Sequence, residues 1–141
     1  MSLSDARIQA FLDTRPVVVL ATLQADGSPL AMPMWFLHDA AELTMISVAA
    51  TAKIRNLRRD PRVSVVAEAG GDPRGDGGIR GVAVQGRAVF VSEPDARLAV
   101  AERFLAKYQP RVERLWNGRV MPADRVAFRI VPERVRSWGL A

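Results

Sequence analysis

Apolar and polar residues recur with two different periods along this chain, and the changes of period mark its elements. Ile8, Phe11 and Leu12 share one helical face within Leu3 to Asp13. Ser4 is the expected N-cap, Asp5 suits the first turn, and Pro16 stops the helix. Leu3 and Ile8 have the spacing of a hydrophobic staple. Val17 to Gln24 is rich in β-branched residues and predicts a strand, and Asp26-Gly27 predicts a tight turn. Leu30 to His38 predicts the returning strand, with Pro29 and Pro33 at or in it. A proline inside a strand marks an edge or a bulge, so this strand leaves backbone groups free. Glu42 to Val48 predicts a third strand.

A short helix follows, with Thr51 as the expected N-cap and Ile54 and Leu57 as its apolar stripe. Asp60-Pro61 ends it, because the residue before a proline is pushed out of the helical region. Arg62 to Ala69 predicts the fourth strand, and the five glycines and Pro73 of Gly70 to Gly78 predict a mobile loop. Gly81 to Val91 predicts a long fifth strand bent at Gly86. Ser92-Glu93-Pro94-Asp95 has capping-box spacing before a helix to Tyr108. A second short helix runs from Pro110 to Asn117-Gly118. Arg125 to Val131 alternates and predicts the sixth strand, followed by a tail carrying Trp138-Gly139. Six antiparallel strands, a helix after the third and a helical excursion before the last suggest a closed, mostly β barrel in one domain, 1–141. Its core is thin, and dimerisation would cover the apolar positions left outside.

Composition narrows the chemistry. The chain has 141 residues, 49% of them hydrophobic, too many for disorder. No apolar run reaches the roughly 18 residues of a membrane span, and no signal peptide is visible, so a cytoplasmic location is expected. The absence of cysteine excludes disulfides and thiolate metal sites, and the single histidine, His38, cannot build a metal site alone. His38 reads as a turn-side surface residue rather than a base. Net charge is +5, which permits nucleic acid, but the charge is dispersed and aromatics are only 6%, which argues against it. No catalytic triad, nucleophile elbow or phosphate-binding glycine motif is present.

The helix after Thr51 carries the informative charge. Lys53 sits in the first turn, where the helix dipole disfavours a cation. A lysine there, beside free backbone amides, makes an anion site, and phosphate is the usual occupant. Asn56 lies three residues on, and Arg55, Arg58, Arg59 and Arg62 add positive charge. Met32 and Met34 share a strand face, whereas adjacent Trp35 and Phe36 point to opposite faces, one toward the core and one toward a ligand or partner. Phosphate beside a surface suited to a flat ring points to a flavin or a related cofactor.

Ala21-Thr22, Asp26-Gly27-x-Pro29, Pro33-x-Trp35-Phe36, Lys53-x-Arg55-Asn56-Leu57 and Asp60-Pro61-x-Val63 occur in that order and spacing. The set resembles the pyridoxamine-phosphate-oxidase-like split-barrel superfamily, nearest its branch using the deazaflavin coenzyme F-420. The resemblance covers about residues 5–135. It implies a split barrel and a homodimer with two cofactor sites at the interface. It places the cofactor phosphate at Lys53, Arg55 and Asn56, with Ser47 and Thr51 nearby, and the ring along Met32, Pro33 and Met34. The partner chain would cover the site with the Gly70 to Arg80 loop and Trp138. The implied activity is hydride transfer from reduced F-420 to a small hydrophobic substrate. The alternatives are FMN-dependent redox chemistry and a non-enzymatic cofactor- or nucleic-acid-binding module.

Overall fold

The computed structural model describes residues 1–71 and 78–140. Four helices, α1 (Ala6–Asp13), α2 (Ala52–Arg59), α3 (Pro94–Lys107) and α4 (Arg111–Trp116), surround one antiparallel sheet. Its strands are β1 (Val18–Leu23), β2 (Pro29–Met34), β3 (Leu37–His38), β4 (Leu43–Val48), β5 (Arg62–Ala69), β6 (Arg80–Val91) and β7 (Arg125–Trp138). The hydrogen-bonded order is β2-β1-β5-β6-β7-β4-β3.

The expected second strand is therefore two. β2 pairs with β1 and β3 with β4, so the pieces lie on opposite edges of the sheet with only Trp35 and Phe36 between them. A link that short spans roughly 10 Å at most, so the sheet must curl until its edges meet. The hydrogen bonding is open between β2 and β3, so the barrel is split, as the family resemblance implies, and not closed as the strand pattern alone suggests. Pro33 falls near this break, as a residue that cannot donate to a ladder should.

The inward positions pack as a core that includes Leu20, Met45, Val65, Val84, Phe128 and Ile130, capped by Ile8 and Leu12 of α1 and Ile54 and Leu57 of α2. Leu37, Val91, Val100, Phe104 and Ala127 form a second cluster, where α3 covers the barrel's outside. Gly86 marks a register shift between β6 and β7, and a Cβ there would lie 2.1 Å from the Val131 carbonyl oxygen. That bulge lets β7 pass Pro132 and continue to Trp138, so the expected tail is strand.

Three caps differ from expectation. Asp5, not Ser4, caps α1 and accepts from the Arg7 amide. Glu93 precedes α3 without a side-chain cap bond, so the box spacing forms no box. Thr51 occupies the N-cap position of α2 but makes no cap bond. The central part of the glycine-rich loop expected over Gly70 to Gly78, including Pro73, lies outside the described residues.

Candidate functional site

α2 starts where β4 ends, and both are held from behind. The Asn56 side-chain amide donates to Thr22 Oγ1 of β1 at 3.0 Å and accepts from Arg59 Nη2 at 3.0 Å. Arg59 also donates to the Leu23 carbonyl. Ala49 N donates to the Asp124 carbonyl at 2.8 Å, tying the end of β4 to the start of β7. These bonds leave the first turn of α2 facing a cavity of about 420 Å³, within the usual size range of small-molecule sites.

The polar part of the lining is Ser47, Thr51, Lys53 and Arg125. The apolar and aromatic part includes Trp35, Phe104, Val112, Leu115 and Trp116. Pro33, Met34, Ile46 and Val48 complete the lining. Ser47 and Thr51 hydroxyls lie 3.4 Å apart, and Thr51 donates backward to the Val48 carbonyl at 3.0 Å. Thr51 thus spends its hydroxyl on the strand and leaves the α2 first-turn amides without the side-chain acceptor an N-cap normally supplies.

Lys53 is half-buried, and that burial pulls its pKa below the ordinary lysine value. Among the described residues it has no salt bridge, and the cavity has no carboxylate in its lining. A desolvated cation beside uncapped amides is poorly satisfied by the protein alone and is satisfied by an anion.

The structure brings together five of the residues expected at the site: Pro33, Met34, Ser47, Thr51 and Lys53. Four lie outside the lining. Met32 shares the face of Met34 but sits further along β2 and is exposed. Arg55 is exposed and is not part of the lining. Asn56 is only 5% exposed, and its bonds to Thr22 and Arg59 make it a brace for α2. Trp138 ends β7, opposite Gly81, where an added Cβ would collide with its ring.

Sequence reasoning missed Trp116 and Arg125. No local pattern marks them, because α4 and β7 reach the cavity only through long-range packing. Trp35 was legible as half of the opposed Trp35-Phe36 pair: Phe36 is fully buried, and Trp35 faces the cavity. Trp35 stacks on Tyr108 with centroids 4.6 Å apart and planes 10° from parallel. The Tyr108 hydroxyl accepts from Phe36 N at 2.9 Å and lies 2.9 Å from the Pro16 carbonyl. The Lys107 ammonium donates to the Phe36 carbonyl at 2.7 Å and lies 3.8 Å over its ring; burial brings its pKa down to about 8.

His38 is not the surface residue expected from its place at a strand end. Its side chain is 9% exposed, with Nδ1 2.8 Å from Gln9 Oε1 and Nε2 2.8 Å from Asp13 Oδ1. Burial lowers its pKa and outweighs the opposing pull of Asp13. It faces α1, not the cavity, so the site gains no base from it. Among the described residues no cluster of three metal-binding side chains exists, and no helix is long and apolar enough to cross a membrane.

The chain is thus an antiparallel split barrel with a cation-and-aromatic cavity beside its broken strand. The chain belongs to the pyridoxamine 5'-phosphate oxidase family, whose model matches residues 4–139. A conserved hypothetical protein of Mycobacterium tuberculosis is 34% identical, with 96% of this chain and 84% of that one covered at a TM-score of 0.79. An FAD-binding protein of Mesorhizobium loti is 26% identical, with 97% and 95% covered at a TM-score of 0.73. A structure described as an F420 reductase, 24% identical with 91% and 94% covered at a TM-score of 0.67, shares the fold.

Proposed function

We propose that this protein is an oxidoreductase that binds coenzyme F-420 in the Lys53 cavity and transfers hydride from the reduced deazaflavin to a small hydrophobic acceptor. The observation that carries this is Lys53 itself: half-buried, at an uncapped helix start, facing a cavity without a carboxylate in its lining. The cofactor phosphate is assigned to Lys53, the α2 amides and the Ser47 and Thr51 hydroxyls. Its ring is assigned to the surface made by Pro33, Met34 and Trp35. When bound, the deazaflavin supplies two-electron hydride chemistry that no side chain here can supply.

The chain's own residues bind, orient and exclude water. The wall of Trp35, Phe104, Val112, Leu115 and Trp116 suits an uncharged, apolar acceptor. The lining holds neither histidine nor carboxyl group, so the proton that completes the acceptor's reduction is assigned to water. The similarity to an FAD-binding protein favours a second reading on the same scaffold, a flavin in place of the deazaflavin, for which FMN is the proposed cofactor. The FMN phosphate would use the same polar lining at Lys53.

Titrating the apoprotein with F-420, FMN and a generic DNA duplex across a range of salt tests these readings. F-420 is expected to bind at micromolar or better affinity and FMN more weakly. Both should show a shallow salt slope, on the order of one to three ion equivalents. Duplex binding that persists at physiological salt, with neither flavin bound, refutes the oxidoreductase assignment.

A further inference from the structure

We propose that Arg125 is a second anion-binding residue of the cavity and that, with Lys53, it makes the site select the phosphate-bearing form of a ring cofactor over the neutral ring. This rests on the reading of the cavity as a cofactor site and adds to it a residue and a selectivity.

Arg125 is the first residue of β7 and pairs in register with Val48, the last of β4. Its neighbour Asp124 receives the Ala49 amide. The start of β7 is thereby fixed against the strand end that carries Ser47 and leads into Thr51 and Lys53. Arg125 and Lys53 line one cavity from different elements, and no carboxylate joins them in the lining.

The guanidinium is placed for binding. Its side chain is 19% exposed, while its partner Asp124 is 65% exposed. Arg125 Nη1 donates to Asp124 Oδ1 at 2.5 Å, which engages one edge of the fork. Guanidinium carries five N–H donors, so most remain for a second acceptor. The Asp124 carboxylate is mostly in solvent, so water screens its pairing with the half-buried arginine. Arg97 donates to the Arg125 carbonyl at 3.2 Å and holds the backbone from α3.

Selectivity is a difference of affinities. A neutral ring entering the cavity strips water from two cations and returns nothing to them. A phosphate accepts from both, and a planar fork meets two phosphate oxygens where an ammonium meets one.

The test measures binding of FMN and riboflavin, and of F-420 and its phosphate-free deazaflavin core, to the apoprotein. The wild type is expected to hold each phosphate-bearing form at least tenfold tighter than its neutral core. Arg125→Gln is expected to weaken FMN and F-420 by about tenfold while both cores stay within about twofold. Arg125→Lys should retain part of the preference, because charge without the fork remains. In Lys53→Ala/Arg125→Gln the preference should vanish. Should Arg125→Gln fail to fold, competition of inorganic sulfate with FMN in Arg125→Lys replaces it, and weaker competition than in wild type is expected.

Equal weakening of phosphate-bearing and neutral forms overturns the proposal, since it would make Arg125 a support for the fold. Unchanged binding in Arg125→Gln, or unchanged sulfate competition in Arg125→Lys, overturns it as well. Failure of the wild type to bind any of the four compounds defeats the cofactor reading instead, a result that no Arg125 variant could produce.

Discussion

At the scale of single residues, Lys53 and Asn56 sit three apart on one short helix and do different work. Lys53 faces the cavity, while Asn56 turns inward and bonds Thr22. Replacing Asn56 by Ala strands the buried Thr22 hydroxyl and frees Arg59 from one acceptor. The expected cost is about 1–3 kcal/mol of stability, or several degrees in a thermal melt. Phosphate-bearing and phosphate-free flavins should lose affinity equally in this variant. A selective loss for the phosphate-bearing form would return Asn56 to the anion site. Lys53 was legible because its conflict with the helix dipole is written in local sequence. The role of Asn56 was not, because Thr22 is contributed by a distant strand. Arg125 was invisible for the same reason: its neighbour Val48 is a partner only after β4 and β7 pair.

Among the elements, α2 is the one whose ends explain its behaviour. Its start is uncapped by Thr51, and its end is closed by Asp60, which accepts from the Arg62 amide and pairs with the Arg62 guanidinium at 2.7 Å. These bonds lower the Asp60 pKa from 3.8 to about 2. A carboxylate with a depressed folded pKa stabilises the fold above its unfolded pKa, and that stabilisation is lost as pH falls through the folded value. Wild type should therefore melt above Asp60→Asn at neutral pH. The gap should close as pH drops from 3.8 to about 2. Melts at neutral pH and across this window check it; a gap that persists at the acid end contradicts the assignment.

Most elements were legible from periodicity alone, because half-buried strands alternate and core-facing helices repeat every three to four residues. The split of Leu30 to His38 into β2 and β3 was not. Pro33 signalled an interruption, but only the curl of the whole sheet decides that the two halves land on opposite edges. The extension of β7 past Pro132 depends on a bulge beside Gly86 that needs β6 to be seen.

For the whole molecule, the outer face of the barrel leaves apolar side chains in solvent. Val19 and Val66 are cross-strand partners on β1 and β5, and both are exposed, as are Met32, Val89 and Val131. A homodimer is the proposed means of covering them. Equilibrium sedimentation at micromolar concentration should give about twice the 15.4 kDa chain mass, and Val19→Asp should shift the population to monomer. A wild-type monomer that binds cofactor tightly would remove the interface from the account.

The central claim is that Lys53 holds the phosphate of a flavin-type cofactor. Titration of F-420 and FMN into wild-type and Lys53→Ala apoprotein, beside thermal melts of both without ligand, tests it most directly. The lost charge-assisted contact is worth roughly 1.5–3 kcal/mol, so affinity should fall about tenfold or more. The apoprotein should melt at the same temperature or slightly higher, because the substitution relieves the clash with the helix dipole. A clear loss of apoprotein stability with unchanged cofactor affinity would contradict the account.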